Sequence, residues 1–512
     1  MKNLIVILDF GSQFTHLIKS SLEEIGIFSV IEPADIKKNN FSIKYSGYNI
    51  RGVILSGSSQ SVYDGGIEFD KSWLDSNIPI LGICYGHQLL ANLLGGEVQK
   101  GTPEYGRQTL SIEDASVLLS GVKNNSVVWM SHGDSVTILP KEFKSLARTE
   151  VAENAVIENQ NKNIYGTQFH PEVSHTSDGL KILSNFAINI CGIERSEPWS
   201  PRVFIETSRE KYKFIKNKKV LCGVSGGVDS MTMLALFAHI LPKKSIIATY
   251  IDSGLMPDET EEEIREFCEK LGVTLIVRDS SKVFLQALRG LIDPRDKGMA
   301  IGGVFIREFE KIAKDNDVDL FAQGTIWSDV VESGVTKFSS QIKPHHNVAG
   351  LPSRMKFELL EPVRNLFKNR VREVGRYLGM PEKFVQKKVF PGPGFAIRIE
   401  GEVTLEKVSL VKKCTKIIEE VVSSSSTADR VWMAFAILIE APSLGIKGDQ
   451  RVENKYAIVV RAVESKNSMT ANFSESMLPL LGIISNRIVD ETPIGRVVYD
   501  ITNKPPATIE WQ

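Results

Sequence analysis

Two short stretches hold residue types whose spacing suits particular chemistry. In Gly82-Ile83-Cys84-Tyr85-Gly86 a thiol sits between two glycines, after the apolar run 78–83 and before the helical pattern 87–94. This is nucleophile-elbow spacing with cysteine in place of serine. A sharp strand-to-helix turn lifts the side chain off a sheet, and the first helical amides favour a thiolate and donate to an oxyanion. Gln168-Phe169-His170-Pro171-Glu172 supplies a base at the end of a predicted strand, with an acid two residues beyond it to orient the imidazole. His132, in Ser131-His132-Gly133-Asp134, is a competing base without that adjacent acid.

The second stretch is Ser225-Gly226-Gly227-Val228-Asp229-Ser230, between the apolar run 220–224 and a predicted helix over 231–240 that begins at Met231. Two glycines let backbone amides approach an anion, the helix start adds its dipole, and Ser225 and Ser230 offer hydroxyls. Asp229 would repel phosphate unless Mg²⁺ lies between them, so the stretch predicts a Mg-nucleotide site. The Walker ending Gly-Lys-Ser/Thr is absent, which argues against a P-loop kinase or GTPase. Asp252 closes the next apolar run, where doubly wound sheets place ligand contacts; a turn or cap aspartate is the other reading.

The elements that must position these groups alternate regularly. Apolar runs at 4–8, 52–55, 78–83, 127–130 and 164–169 read as strands of one α/β domain, and those at 220–224, 245–251, 274–277 and 320–322 as a second, doubly wound series. Glu197-Pro198-Trp199-Ser200-Pro201 and the basic stretch 209–219 read as a linker and a solvated helix face. Past residue 385 come Pro391-Gly392-Pro393-Gly394, a helix, a serine run at 423–426 that reads as a loop, and alternating strands at 456–463 and 496–501. The expected fold class is α/β throughout the first two domains with an α+β third, over 1–194, 195–386 and 387–512.

A chain of 512 residues exceeds a single core, and its formal charge of -1 shows no global bias towards nucleic acid or an anionic membrane. Its five scattered cysteines make no Cys-x-x-Cys pair, so neither a disulfide framework nor a structural zinc site is expected, and a cytoplasmic setting is. The run 4–8 ends at Asp9 and reads as a buried strand rather than a leader, and no apolar stretch approaches the ~20 residues of a bilayer span.

Three ordered motifs, Asp9-Phe10-Gly11-Ser12-Gln13, residues 82–88 and residues 168–173, resemble the class I glutamine amidotransferase domain. The resemblance implies that Cys84 attacks the glutamine amide and releases ammonia, with His170 and Glu172 completing the triad. It also implies an oxyanion hole from the Tyr85 amide and a Gly-Gly-Pro loop, which here reads Ser56-Gly57-Ser58-Ser59, so that the loop amide belongs to Ser58. The Ser-Gly-Gly-Val-Asp-Ser string resembles the PP-loop of ATP pyrophosphatases, which implies that ATP is cleaved between its α and β phosphates.

Together with Ala322-Gln323-Gly324-Thr325, His345-His346-Asn347-Val348-Ala349-Gly350-Leu351-Pro352, the Pro391–Gly394 loop and the ending 504–511, the whole chain resembles the GMP synthetase family. That resemblance implies that xanthosine monophosphate (XMP) is adenylated by MgATP and then aminated. It implies an XMP pocket of Pro391, Gly392, Gly394, Lys504, Thr508, Ile509 and Glu510 and a homodimer formed through the third domain; Lys343 or Lys356, flanking 345–352, are candidates to close over the phosphates, with a solvated surface lysine the other reading. The alternating strand 456–463 is expected to offer an exposed edge for that dimer.

One departure stands out. Where the family carries a Lys-Arg-Lys run before Ile-Ile-Gly, this chain has Lys297-Gly298-Met299-Ala300-Ile301-Gly302, so two cations are missing. Arg295 or Arg307 are the candidates to compensate. The alternatives left open by the sequence are a paralogue that aminates a related nucleotide and a non-catalytic nucleotide-binding copy.

Overall fold

The computed structural model describes residues 2–63, 67–75, 77–318, 320–327, 329, 358–447, 450–465, 471–504 and 507–511. The described residues up to Val203 form one compact unit and those from Phe204 onward a second.

In the first unit, strands β1 (Lys2–Asp9), β2 (Ser29–Pro33), β3 (Tyr48–Leu55), β4 (Ile80–Ile83), β5 (Glu97–Ile112), β6 (Ser126–Ile138), β7 (Lys144–Arg148), β8 (Val156–Asn159) and β9 (Ile164–Thr167) form one sheet in the order β2-β1-β3-β4-β9-β8-β7-β5-β6. The half from β2 to β9 is parallel and the remainder antiparallel. Strand alternation explains the continuous apolar runs, because both faces of the parallel half are covered. Ile5, Ile7, Ile54 and Leu81 enter one core, while Leu4, Val6, Leu8, Val53 and Leu55 enter another.

In the second unit, β10 (Val220–Gly223), β11 (Ile246–Asp252), β12 (Thr274–Asp279), β13 (Leu320–Ala322) and β14 (Glu358–Leu360) form a parallel sheet in the order β12-β11-β10-β13-β14. The order runs outward from β10 on both sides, so a topological switch point lies between β10 and β13, where such sheets open a ligand crevice. The helix Val228–Ile240, buried along almost its whole length, follows β10.

A third sheet contains β15 (Met433–Lys447), β16 (Gln450–Glu464), β17 (Asn472–Phe473) and β18 (Val497–Asp500). One hydrophobic cluster runs from Leu221, Ile251 and Phe321 through Phe395 and Ile399 to Leu438 and Ile458, so the second and third sheets share a core. The expected exposed edge at 456–463 is corrected here. Strand β16 lies inside the sheet, paired with β15 on one side and with β17 and β18 on the other. Alternation reveals which face is buried but not how many neighbours a strand has. The serine run leaves the helix Leu405–Ser423 as turns.

Candidate active sites

Because β4 and β9 are parallel neighbours, Ile83 opposite Thr167, the residues that follow them emerge from the same end of the sheet. The Cys84 amide donates to the Thr167 carbonyl (2.8 Å), and His170 follows three residues after Thr167. Cys84 adopts φ 52°, ψ -102° at the start of the helix Tyr85–Leu93, a backbone state that costs a non-glycine residue roughly 1–3 kcal/mol. The flanking glycines permit it. A Cβ on Gly82 would lie 2.5 Å from the Gly86 carbonyl, and one on Gly86 would overlap the Leu55 backbone.

His170 and Glu172 are buried, with Nδ1 2.8 Å from Glu172 Oε1, which leaves Nε2 for the thiol. Thr176 Oγ1 donates to the His170 carbonyl (2.7 Å), the His170 amide donates to the Trp129 carbonyl (3.1 Å), and Phe14 packs edge-on against the ring. Burial alone would lower the pKa of His170, but Glu172 and then Cys84 outweigh it and push it up to about 10. The competing base His132 is otherwise engaged: Nε2 lies 3.1 Å from Glu104 Oε2 and Nδ1 3.0 Å from the Asp134 carbonyl. Burial, with no compensation large enough, pushes it down.

The loop after β3 borders the triad, since a Cβ on Gly57 would come within 3.2 Å of the His170 ring. Ser58 is not among the residues of positive φ, so a side chain there costs no backbone strain. Among the described residues the amides of Ser58 and Tyr85 have no protein acceptor, as donors awaiting an oxyanion require. Sequence reasoning missed two amide side chains here. Gln88 donates to the Asp134 carbonyl (2.7 Å), and Gln168 Nε2 lies 3.8 Å from Cys84 Sγ.

In the second unit the Ser225–Ser230 loop closes on itself. The Ser225 amide donates to Ser230 Oγ (3.1 Å), the Ser230 hydroxyl to the Gly227 carbonyl (3.1 Å), and Gly226 turns at φ 76°. Gly227 caps the helix that carries Val228, Asp229, Ser230 and Met231 in its first turn. Gly324, just beyond β13, packs so closely that a Cβ would lie 2.6 Å from the Ser230 amide nitrogen, which puts both strand ends at the switch point. Asp229 Oδ2 accepts from Lys368 Nζ at 2.5 Å, a partner that sequence reasoning missed, while Oδ1 is buried without a hydrogen-bond partner among the described residues. Asp252 ends β11 as expected, and its Oδ1 accepts from the Gly254 amide (2.8 Å). Residues 343–356, including Lys343, Lys356 and the segment 345–352, lie outside the described residues.

The loop Pro391–Gly394 is a turn, with the Gly394 amide donating to the Pro391 carbonyl (2.9 Å) and Gly394 at φ 65° against the Leu255 backbone. It leads into the short 3-10 helix Gly394–Arg398, whose last residue is paired with Glu510. That pair joins the loop to the tail bearing Lys504, Thr508 and Ile509; Lys504 itself bridges to Ala471 through paired backbone hydrogen bonds. Lys297, the cation retained from the departing run, is fully buried and donates to the Ile399 carbonyl (2.7 Å). Burial and then Lys407 push its pKa down to about 8. Met299, Arg295 and Arg307 are exposed.

Residues 6–190 match the family glutamine amidotransferase class-I, residues 203–380 the PP-loop domain and residues 419–511 the GMP synthase C terminal domain. Over 522 residues, covering both chains completely, this chain is 44% identical to the GMP synthase [glutamine-hydrolyzing] of Campylobacter fetus subsp. fetus. It is 45% identical to that of Nitratiruptor sp., over 99% of each chain, and 42% to that of Symbiobacterium thermophilum, over 100% of this chain and 99% of the relative. At these identities over the full length of both chains, the chain belongs to the glutamine-hydrolysing GMP synthase family and is a ligase that couples glutamine hydrolysis to GMP formation.

Proposed function

We propose that Cys84 Sγ attacks the side-chain amide carbon of glutamine while the Ser58 and Tyr85 amides receive the oxyanion. His170 Nε2, carrying the proton taken from the thiol, passes it to the amide nitrogen, which departs as ammonia and leaves a glutamyl thioester. Water, deprotonated by His170, releases glutamate and restores the thiol. Glu172 keeps the imidazole oriented with Nε2 towards sulfur; the 2.8 Å contact at Nδ1 supports this role.

At the second loop XMP O2 attacks the α-phosphorus of ATP, expelling pyrophosphate, and ammonia then displaces AMP at C2 to give GMP. Adenylation is needed because an amide-like oxygen leaves poorly. Ser225, Gly226, Gly227, Val228, Ser230 and Met231 cradle the phosphates with amides and hydroxyls, Lys368 and Asp252 flank them, and Asp229 is the residue that would hold Mg²⁺. The unpartnered, buried Oδ1 is what fits Asp229 for a cation. When bound, Mg²⁺ offsets charge on the departing pyrophosphate. XMP lies against Pro391, Gly392 and Gly394 on one side and Lys504, Thr508, Ile509 and Glu510 on the other, with Lys504 facing its phosphate.

The proposed domains are 1–194, 195–386 and 387–512, the last also forming a homodimer, and the proposed setting is the cytoplasm. No helix among the described residues is long and apolar enough to cross a membrane, and all five cysteines are unpaired. The observation that carries the reading is the pairing, in one chain, of a buried Cys84–His170–Glu172 row with a Ser225–Ser230 loop at a sheet switch point, an ammonia source and a site that activates its acceptor. Incubation with glutamine, MgATP and XMP is expected to yield GMP, AMP and pyrophosphate in equal amounts. AMP release with another nucleotide but not XMP would indicate a paralogue, and no AMP with any purine monophosphate would overturn the ligase reading.

A further inference from the structure

Arg398 is buried, 2% exposed, at the end of the 3-10 helix that follows the Pro391–Gly394 turn. Its guanidinium is enclosed by three rings, Phe390 (4.6 Å), Phe395 (5.6 Å) and Phe435 (4.0 Å). From there it meets Glu510 as a fork, Nε to Oε2 at 2.9 Å and the terminal amine to Oε1 at 2.8 Å. A side chain so enclosed has no surface for a ligand, whereas Glu510 keeps 17% of its side chain exposed. A carboxylate held side-on by a fork retains one outward lone pair on each oxygen and has lost its freedom to rotate.

From this geometry we infer that Arg398 is a positioning residue for the acceptor nucleotide. It presents Glu510 in a single orientation to a purine edge that offers ring N–H donors, such as the imide of xanthine. The inference rests on the reading that the tail 504–510 holds XMP, and adds to it what selects the base. A fixed, acceptor-only carboxylate favours a donor edge and disfavours one lined with lone pairs. Arg398 is not what ties down the tail. Arg461, 1% exposed, separately donates to the carbonyls of Thr502 (2.7 Å), Thr508 (2.7 Å) and Ile509 (3.2 Å) and to Asp500 (2.8 Å). With Arg398 altered, the backbone of the tail therefore stays attached while the Glu510 carboxylate becomes free to turn.

The test is a mutant cycle in ammonia-driven synthesis by the full chain, with Arg398→Met, Glu510→Gln and the double variant, reading KM for XMP and for ATP. Arg398→Met is expected to raise the XMP KM about tenfold while leaving the ATP KM within about twofold, and to add little in the Glu510→Gln background. Arg398→Lys keeps the charge but loses the fork. Run through the same cycle, it gives a smaller rise that also vanishes with Glu510→Gln, and it serves if the methionine variant does not fold. An equal rise in both backgrounds, or parallel rises for XMP and ATP, overturns the positioning role. An unchanged XMP KM in Glu510→Gln instead overturns the placement of XMP against the tail.

Discussion

Lys368 Nζ lies 2.5 Å from Asp229 Oδ2, joining the first turn of one helix to the start of another 139 residues later. Both side chains are partly exposed, so the pair contributes little to stability, and its value is in placing a cation beside the phosphate loop. Lys368→Met is expected to raise the ATP KM and slow AMP formation by about tenfold or more, with Tm nearly unchanged. Steady-state rates at varied ATP check this; unchanged ATP dependence would remove Lys368 from the site.

Gly324→Ala tests the closeness of the switch point. The added Cβ would lie 2.6 Å from backbone atoms of Ser230, which cannot yield as a flexible side chain could. A loss of about 1–3 kcal/mol in denaturant unfolding is expected, together with weaker ATP binding. Wild-type stability and affinity would show that the loop is not held by this contact.

His170 supplies a pH prediction. Its folded pKa, about 10, is above its ordinary 6.5. A raised value means that the protonated form stabilises the fold fully below about 6.5 and that this contribution fades as pH climbs towards 10. Histidine NMR titration should find His170 still protonated at pH 8, and Glu172→Gln should move its midpoint down and reduce glutamine-dependent but not ammonia-driven synthesis. Titration near 6.5 in both proteins would contradict the Glu172 contact as the cause.

Much of this was legible because backbone demands leave marks in sequence. The elbow needs glycine at 82 and 86, the phosphate loop needs it at 226, and strands buried on both faces read as unbroken apolar runs. Strand β5 left no such mark: Glu97–Ile112 is mostly polar and exposed, and pairing with β6 along its length and with β7 at its end makes it a strand. Nor were the buried arginines legible. Arg398 reads as a surface residue until Glu510, 112 positions away, and three phenylalanines close around it. Lys297 likewise looks like the remnant of a phosphate-binding run, yet it turns inward to the Ile399 carbonyl.

The central claim is that ammonia freed at Cys84 is the reagent consumed at the Ser225–Ser230 site. Glutamine carrying heavy nitrogen in its side-chain amide, supplied with XMP and MgATP to the native protein and to Cys84→Ala, tests it most directly. The native protein should place the label on the amine of GMP, and Cys84→Ala should place none there while still making GMP from added ammonium. Labelled GMP from Cys84→Ala, or loss of ammonium-driven synthesis along with glutamine use in a folded variant, would contradict it.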